Sequence, residues 1–272
     1  MWIDFISCLD NIWDISDYAD EMQDIWDRAF PNITHIVSKK NDPVYKLLMQ
    51  CAYDYRSDFG ERAELVVCKF LERNKWDPDA IRVAVAFLVP EQTKLVDAAG
   101  HITWVNPNIY PYMWKVVEGD TQGTEDCQGA FEDACILDVF ALYLENVHNL
   151  PKEFRRQSMP KGALAIATAA VERAWKMWSM GTYVKPKRAT QSQFAEGLWN
   201  DRTSLVMESL NKASRRKWKK IFKGAKAFID AHRKRPSRRA QAQRNSMGTN
   251  GRAACIKDDS GTDSGSDILL MV

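Results

Sequence analysis

Apolar residues recur at three- and four-residue steps through most of this chain, the period of helices with one buried side. Over residues 14–30, Ile15, Tyr18, Met22, Ile25, Trp26 and Ala29 form such a stripe on an acidic helix that Pro31 ends. Asp42 before Pro43 is a good cap pair and opens a helix over 43–57, with Val44, Leu47, Leu48, Cys51 and Tyr55 inward. A further helix is expected over 59–74, with Ala63, Val66, Val67, Phe70 and Leu71 inward. Pro78 restarts the chain, and Ile81, Val85 and Leu88 continue the stripe to Pro90. The first 13 residues fit a helix or a loose end.

The pattern is strongest over residues 160–181. Leu164, Ala167, Thr168, Val171, Ala174, Trp175 and Trp178 are spaced for burial, while Glu172, Arg173 and Lys176 gather opposite them. Pro160 suits a first turn and Gly181 a left-handed cap. Alanines at 163, 165, 167, 169 and 170 let neighbours approach closely, so this is the expected central helix, with both indole rings in the core.

Between these blocks the period changes. Thr93–Val96 and residues 101–105 alternate around Asp97-Ala98-Ala99-Gly100, which predicts a short ribbon that needs helices beneath it. Residues 112–117 read as a short helix start and 119–124 as a mobile polar loop. A long helix is expected over 127–149, another over 191–213, and an amphipathic basic one over 214–231. Beyond Arg233 the periodicity stops, and Ser, Gly, Arg and Asp predict disorder. The expectation is a mainly α, multi-helix bundle-like domain over residues 14–233 with at most a short β-hairpin near 93–105. An uncertain segment at 1–13 precedes it. A disordered C-terminal tail at 234–272, basic and then Ser/Gly/Asp-rich, follows.

Composition adds limits. The 272 residues include ten tryptophans and no apolar run long enough for a membrane span. The N-terminus lacks the flank of a secretory signal, so an intracellular protein, in nucleus or cytoplasm, is expected. The six cysteines form no Cys-x-x-Cys and read as buried thiols. The net charge of +2 hides a partition: residues 212–244 hold fourteen Lys and Arg against Asp230 alone, and the first thirty hold eight acids against Arg28.

Four pieces carry a family resemblance: residues 26–31 (Trp-Asp-Arg-Ala-Phe-Pro), residues 55–60 (Tyr-Arg-Ser-Asp-Phe-Gly), the 164–181 helix ending Trp178-Ser179-Met180-Gly181, and the helix from Phe194 to Leu210. In this order they resemble an uncharacterised, mainly helical domain of mushroom-forming (basidiomycete) fungi, classed as a domain of unknown function. The likeness covers roughly residues 15–230 and implies an all-helical domain, with no catalytic or ligand-binding residue to carry over. Members often extend further at the N-terminus, so the first helices are expected to be incomplete here.

Candidate chemistry is sparse. Glu145 and His148 have the spacing of a bundle metal pair, with Glu132 and Asp133 upstream, but no second pair exists and a solvent-facing helix end is the plainer account. No phosphate loop or nucleophile elbow occurs, and Cys68 with His101 is the sort of pair only folding would assemble. Arg56 with Asp58, Glu61 and Arg62 suits a polar junction between helices or, more sharply, an anion. No cofactor or metal is expected.

The leading candidate is the basic segment 212–244. Arg215, Arg216, Lys219, Lys220, Lys223, Lys226, Arg233, Lys234 and Arg235 are its possible anion or nucleic-acid contacts, interleaved with Trp218 and Phe222. A calmodulin-like partner or an anionic membrane surface would use the same pattern, and so would the last helix of a domain with its charges solvated. Residues 233–239 resemble a nuclear import string, and 259–264 (Asp-Ser-Gly-Thr-Asp-Ser) a phosphorylation-dependent degradation signal. A non-enzymatic intracellular helical interaction module with an unknown protein partner is therefore expected, with a nucleic-acid-associated protein as the alternative.

Overall fold

In this computed structural model residues 1–39, 41–97, 100–118, 124, 127–185 and 194–233 are described, with 230–233 described by backbone alone. Helices α1 (Trp2–Ser7) and α2 (Ala19–Ala29) come first. The ambiguous opening is helical over Trp2–Ser7 only, and it lies in the core: Trp2, Phe5, Ile6, Ile12 and Trp13 are buried. The Trp2 indole N–H donates to the Leu48 carbonyl at 2.8 Å, which satisfies the one polar atom of a buried ring.

Helix α3 (Pro43–Asn74) is one rod where two helices were expected on either side of residue 58. Asp42 accepts from the Tyr45 amide at 2.9 Å and Pro43 occupies the first turn. Neither Ser57 nor Gly60 ends the rod. Gly60 is buried, and a Cβ there would stand 3.3 Å from Cβ of Phe194, so the glycine admits a neighbour and does not break the helix. Lys75, at φ 52°, stops it. The rod is ~48 Å long. Helix α4 (Pro78–Leu88) repeats the opening device, with Asp77 accepting from the Ala80 amide at 2.8 Å.

The expected ribbon forms from β1 (Thr93–Val96) and β2 (Ile102–Val105), antiparallel, with Val96 opposite Ile102 and Lys94 opposite Trp104. All eight strand residues are exposed, contrary to the expectation that helices would cover them. A 3-10 turn at Pro111–Met113 leads into β3 (Trp114–Val117), which pairs with β4 (Cys127–Ala130). This second strand pair replaces both the helix start at 112–117 and the first turn of the helix predicted over 127–149. Gly129 and Phe131 adopt positive φ (75° and 60°), which a helix does not tolerate, so α5 (Ala134–Val147) starts only after Asp133 caps it. The loop expected at 119–124 lies outside the described residues, apart from residue 124.

Helices α6 (Lys161–Lys176), α7 (Glu196–Leu210) and α8 (Arg215–Arg233) complete the fold. Helix α6 is central as expected, packing on α1, α3, α4, α5 and α7. Its residues from Ala163 to Ala167 are fully buried, and Thr168 hides its hydroxyl by donating to the Leu164 carbonyl at 2.8 Å. The burial extends round the side expected to be polar: Glu172 and Arg173 are buried as well, and Arg173 pairs with Glu64 at 2.8 Å. Trp175 is buried, whereas Trp178 is half-buried beside Tyr183 because the helix ends at Lys176.

Residues 1–230 form one compact unit. Of the second, residues 231–272, the helical backbone of 231–233 is described, and the tail expected from 234 onward lies outside the described residues, with its import and degradation motifs. Among the described residues no helix is long and apolar enough to cross a membrane.

Candidate functional site

Helix α8 has two sides. Trp218, Ile221 and Ala225 are buried, with the Trp218 and Phe222 rings 6.4 and 6.0 Å from that of Phe140 on α5. Gly224 permits this approach, since a Cβ there would lie 2.6 Å from Cδ1 of Leu137. At about 100° per residue, Arg215, Arg216, Lys219, Lys220, Lys223 and Lys226 occupy an arc of about 140° on the opposite side, ~16 Å long. All six are exposed and none forms an ion pair with another described residue. Lys217, at the border, is tied to Glu132 at 3.0 Å. Arg233 closes the helix by its backbone, and Lys234 and Arg235 lie outside the described residues.

The interleaving of aromatic and cationic residues in the sequence is thus separated in space. Trp218 is 2 % exposed and Phe222 half-buried, so neither ring offers a platform for bases, and the apolar side is not free for a calmodulin-like grip or for lipid. The charge is presented alone.

The other sequence candidates disperse. Arg62 reaches from α3 to Asp138 at 3.2 Å and Glu145 at 3.3 Å on α5, which makes Glu145 a structural partner of an arginine. Among the described residues no group of three His, Cys, Asp or Glu side chains is placed to hold a metal. Cys68 donates to Glu72 at 3.3 Å and His101 stays with Asp97 in the hairpin.

Arg56 does not join Arg62. Its side chain leaves α3 on another side and donates through Nη1 to the carbonyls of Ile12 (3.1 Å) and Trp13 (3.0 Å). The rings of Trp13 and Tyr53 lie 5.3 and 4.9 Å from its guanidinium carbon. It is 6 % exposed, and no carboxylate of a described residue comes within ion-pair distance. Burial pulls its pKa below the ordinary value, with Tyr53 and Glu196 opposing the shift. An arginine remains charged under such a pull.

This guanidinium lines a cavity of about 580 Å³. Trp13, Tyr53 and Phe194 give it apolar surface. Arg173 also borders it but is neutralised: Glu64 accepts from Arg173 at 2.8 Å and from the Tyr183 hydroxyl at 2.8 Å. Burial and that bond to Glu64 push the Tyr183 pKa up to about 12. The first turn of α7 reaches the same space through Ala195 and Glu196, and no side chain caps it. Of the polar junction expected around Arg56, Asp58, Glu61 and Arg62, Arg62 does bridge two helices, whereas Arg56 joins the chain at Ile12 and Trp13 instead. The signal that existed was a charged residue on a helix between apolar positions 55 and 59, both buried.

A family model described as a domain of unknown function (DUF6532) matches residues 7–236. No curated protein and no solved structure matches the chain.

Proposed function

We propose, for a chain that belongs to the DUF6532 family, a non-enzymatic role in which the exposed side of α8 contacts an acidic surface of a protein partner. The observation that carries the reading is the row of six exposed cations, without counter-ions among the described residues, on a helix whose other side is locked into the core. Unpaired surface charges of one sign accelerate encounter with a partner of opposite sign and set its orientation. A rigid helix presents them at little further entropic cost. The reading includes an intracellular location, nucleus or cytoplasm, and a basidiomycete source, which rests on the motif likeness alone.

A second reading is phosphate-backbone binding without sequence preference. What favours it is the same arc of charge, since each lysine or arginine set against a phosphate releases a counterion. The burial of Trp218 weighs against single strands, which are held by stacking.

One experiment addresses both. The full chain and its Lys219→Glu/Lys220→Glu/Lys223→Glu variant are compared for partners retained from nuclease-treated extract and for duplex DNA binding against salt. Proteins lost specifically on charge reversal support the contact module. Duplex affinity that falls steeply with salt and collapses in the variant supports the second reading. Retention and duplex binding both unchanged by the reversal reject the site.

A further inference from the structure

We infer that the cavity between α3 and the start of α7 is a binding site for a small organic acid, with Arg56 as the seat of its carboxylate. Two independent features converge there. Arg56 is more than nine-tenths buried, yet only its Nη1 has protein acceptors; Nε and Nη2 have none among the described residues. The Trp13 and Tyr53 rings lie 5.3 and 4.9 Å from the guanidinium carbon, and the Nε–Nη2 edge is the part with donors to spare. That edge is the fork that binds a carboxylate through two parallel hydrogen bonds. The second feature is α7, a fifteen-residue helix whose N-cap, Ala195, supplies no side-chain acceptor to the first turn. Its leading amides and its dipole favour negative charge in the cavity that Ala195 and Glu196 line.

The rim restricts what kind of anion fits. Glu61, Glu196 and Lys185 line the cavity and form no ion pair with a described residue, and the two carboxylates outnumber the one ammonium and oppose a second negative charge. This favours a monocarboxylate over a phosphate dianion. Trp13, Tyr53 and Phe194 supply flat apolar surface for the body of the acid, and about 580 Å³ accommodates a molecule of one or two rings. Cation recognition by the aromatic rings is less suited, because Arg56 already lies against Trp13 and Tyr53, and Arg173 against Phe194. The arginine is thereby placed as a built-in receptor group whose rigidity is set before any ligand arrives.

The test is calorimetric titration of the full chain with 2-naphthoate, its neutral analogue 2-naphthamide, and inorganic phosphate. Naphthoate is expected to bind, with the amide and phosphate each at least tenfold weaker. Arg56→Lys keeps a charge and loses the fork, and is expected to weaken naphthoate at least tenfold. Because Arg56 also ties α3 to the chain at Ile12 and Trp13, a second variant guards against misfolding. Ser57→Trp, at an exposed helical position that lines the cavity, fills the space and abolishes binding with an unchanged melting temperature. The same carboxylate also ends every peptide, so Gly-Gly-Trp and its C-terminal amide are titrated in parallel. A free tripeptide tighter than naphthoate assigns the seat to a chain end, and a weaker one to a free acid. Acid and amide binding alike, phosphate binding as well as naphthoate, or binding that survives Ser57→Trp would overturn the assignment.

Discussion

Gly181 lies against the backbone of Pro78 so closely that a Cβ on it would stand 2.2 Å from the proline carbonyl oxygen. The contact joins the turn after α6 to the first residue of α4, and Gly181 adopts φ 79°. A backbone oxygen cannot rotate aside as a side-chain end can. Gly181→Ala combines a disfavoured φ with an overlap that must separate two elements, and is expected to cost more than ~3 kcal/mol. Thermal unfolding should show a melting temperature lower by ~6 °C or more. A shift under ~2 °C would mean that the two segments part freely.

Asp4 is 1 % exposed and accepts from the Tyr143 hydroxyl at 2.8 Å and the Arg156 amide at 2.6 Å. It fastens α1 to α5 and to the loop before α6. Asp4→Ala strands both donors and should cost ~2–4 kcal/mol in urea unfolding. Adding Tyr143→Phe removes one stranded donor, so the double variant should lose less than the sum of the two single changes.

Asp133 caps α5 through the Cys135 amide at 2.8 Å, yet burial outweighs those hydrogen bonds and raises its pKa to about 6. The folded state therefore holds the proton more tightly than the unfolded chain, whose Asp pKa is about 3.9. The stability this group contributes is fully present below about pH 4 and is lost as pH rises through about 6. Asp133→Asn keeps a capping oxygen and removes the buried charge. Its stability gain over the parent should be absent near pH 4 and reach on the order of 2 kcal/mol at pH 8. Equal gains at both values would show that the carboxyl does not titrate across this window.

The two sides of α8 should respond in opposite ways. Trp218→Ala empties a buried position against Phe140 and should cost ~3–5 kcal/mol. Lys219→Glu with Lys220→Glu touches exposed groups that pair with no described residue, and should move stability by less than ~0.5 kcal/mol. Comparable losses from the two changes would place the lysines in structural contacts.

Helical periodicity carried the architecture because burial on one side of a helix leaves a regular trace. It exposed α6 as the centre and gave α8 an apolar side, whose burial against the core only the fold revealed. It failed where conformation depended on single residues: positive φ at Gly129 and Phe131 turned an expected helix into a strand and a turn. It also failed at Glu172 and Arg173, which are buried because Arg202 joins Lys176 at Glu172 and Glu64 meets Arg173, partners that come in part from distant elements. The cationic face was legible as composition, but its lack of counter-ions among the described residues was not. The cavity was least legible, because Trp13, Arg56 and Phe194 are far apart in sequence and meet only through tertiary packing.

The ribbon of β1 and β2 is anchored at its base, where the Gln92 side-chain amide donates to Asn106 at 2.7 Å. Its stem ends are therefore already side by side, and its strands give the core nothing to lean on. A splice of two glycines in place of residues 93–105 should leave the melting curve of the remainder intact. The ribbon is accordingly a natural port, where a reporter or an affinity tag can be grafted midway along the chain.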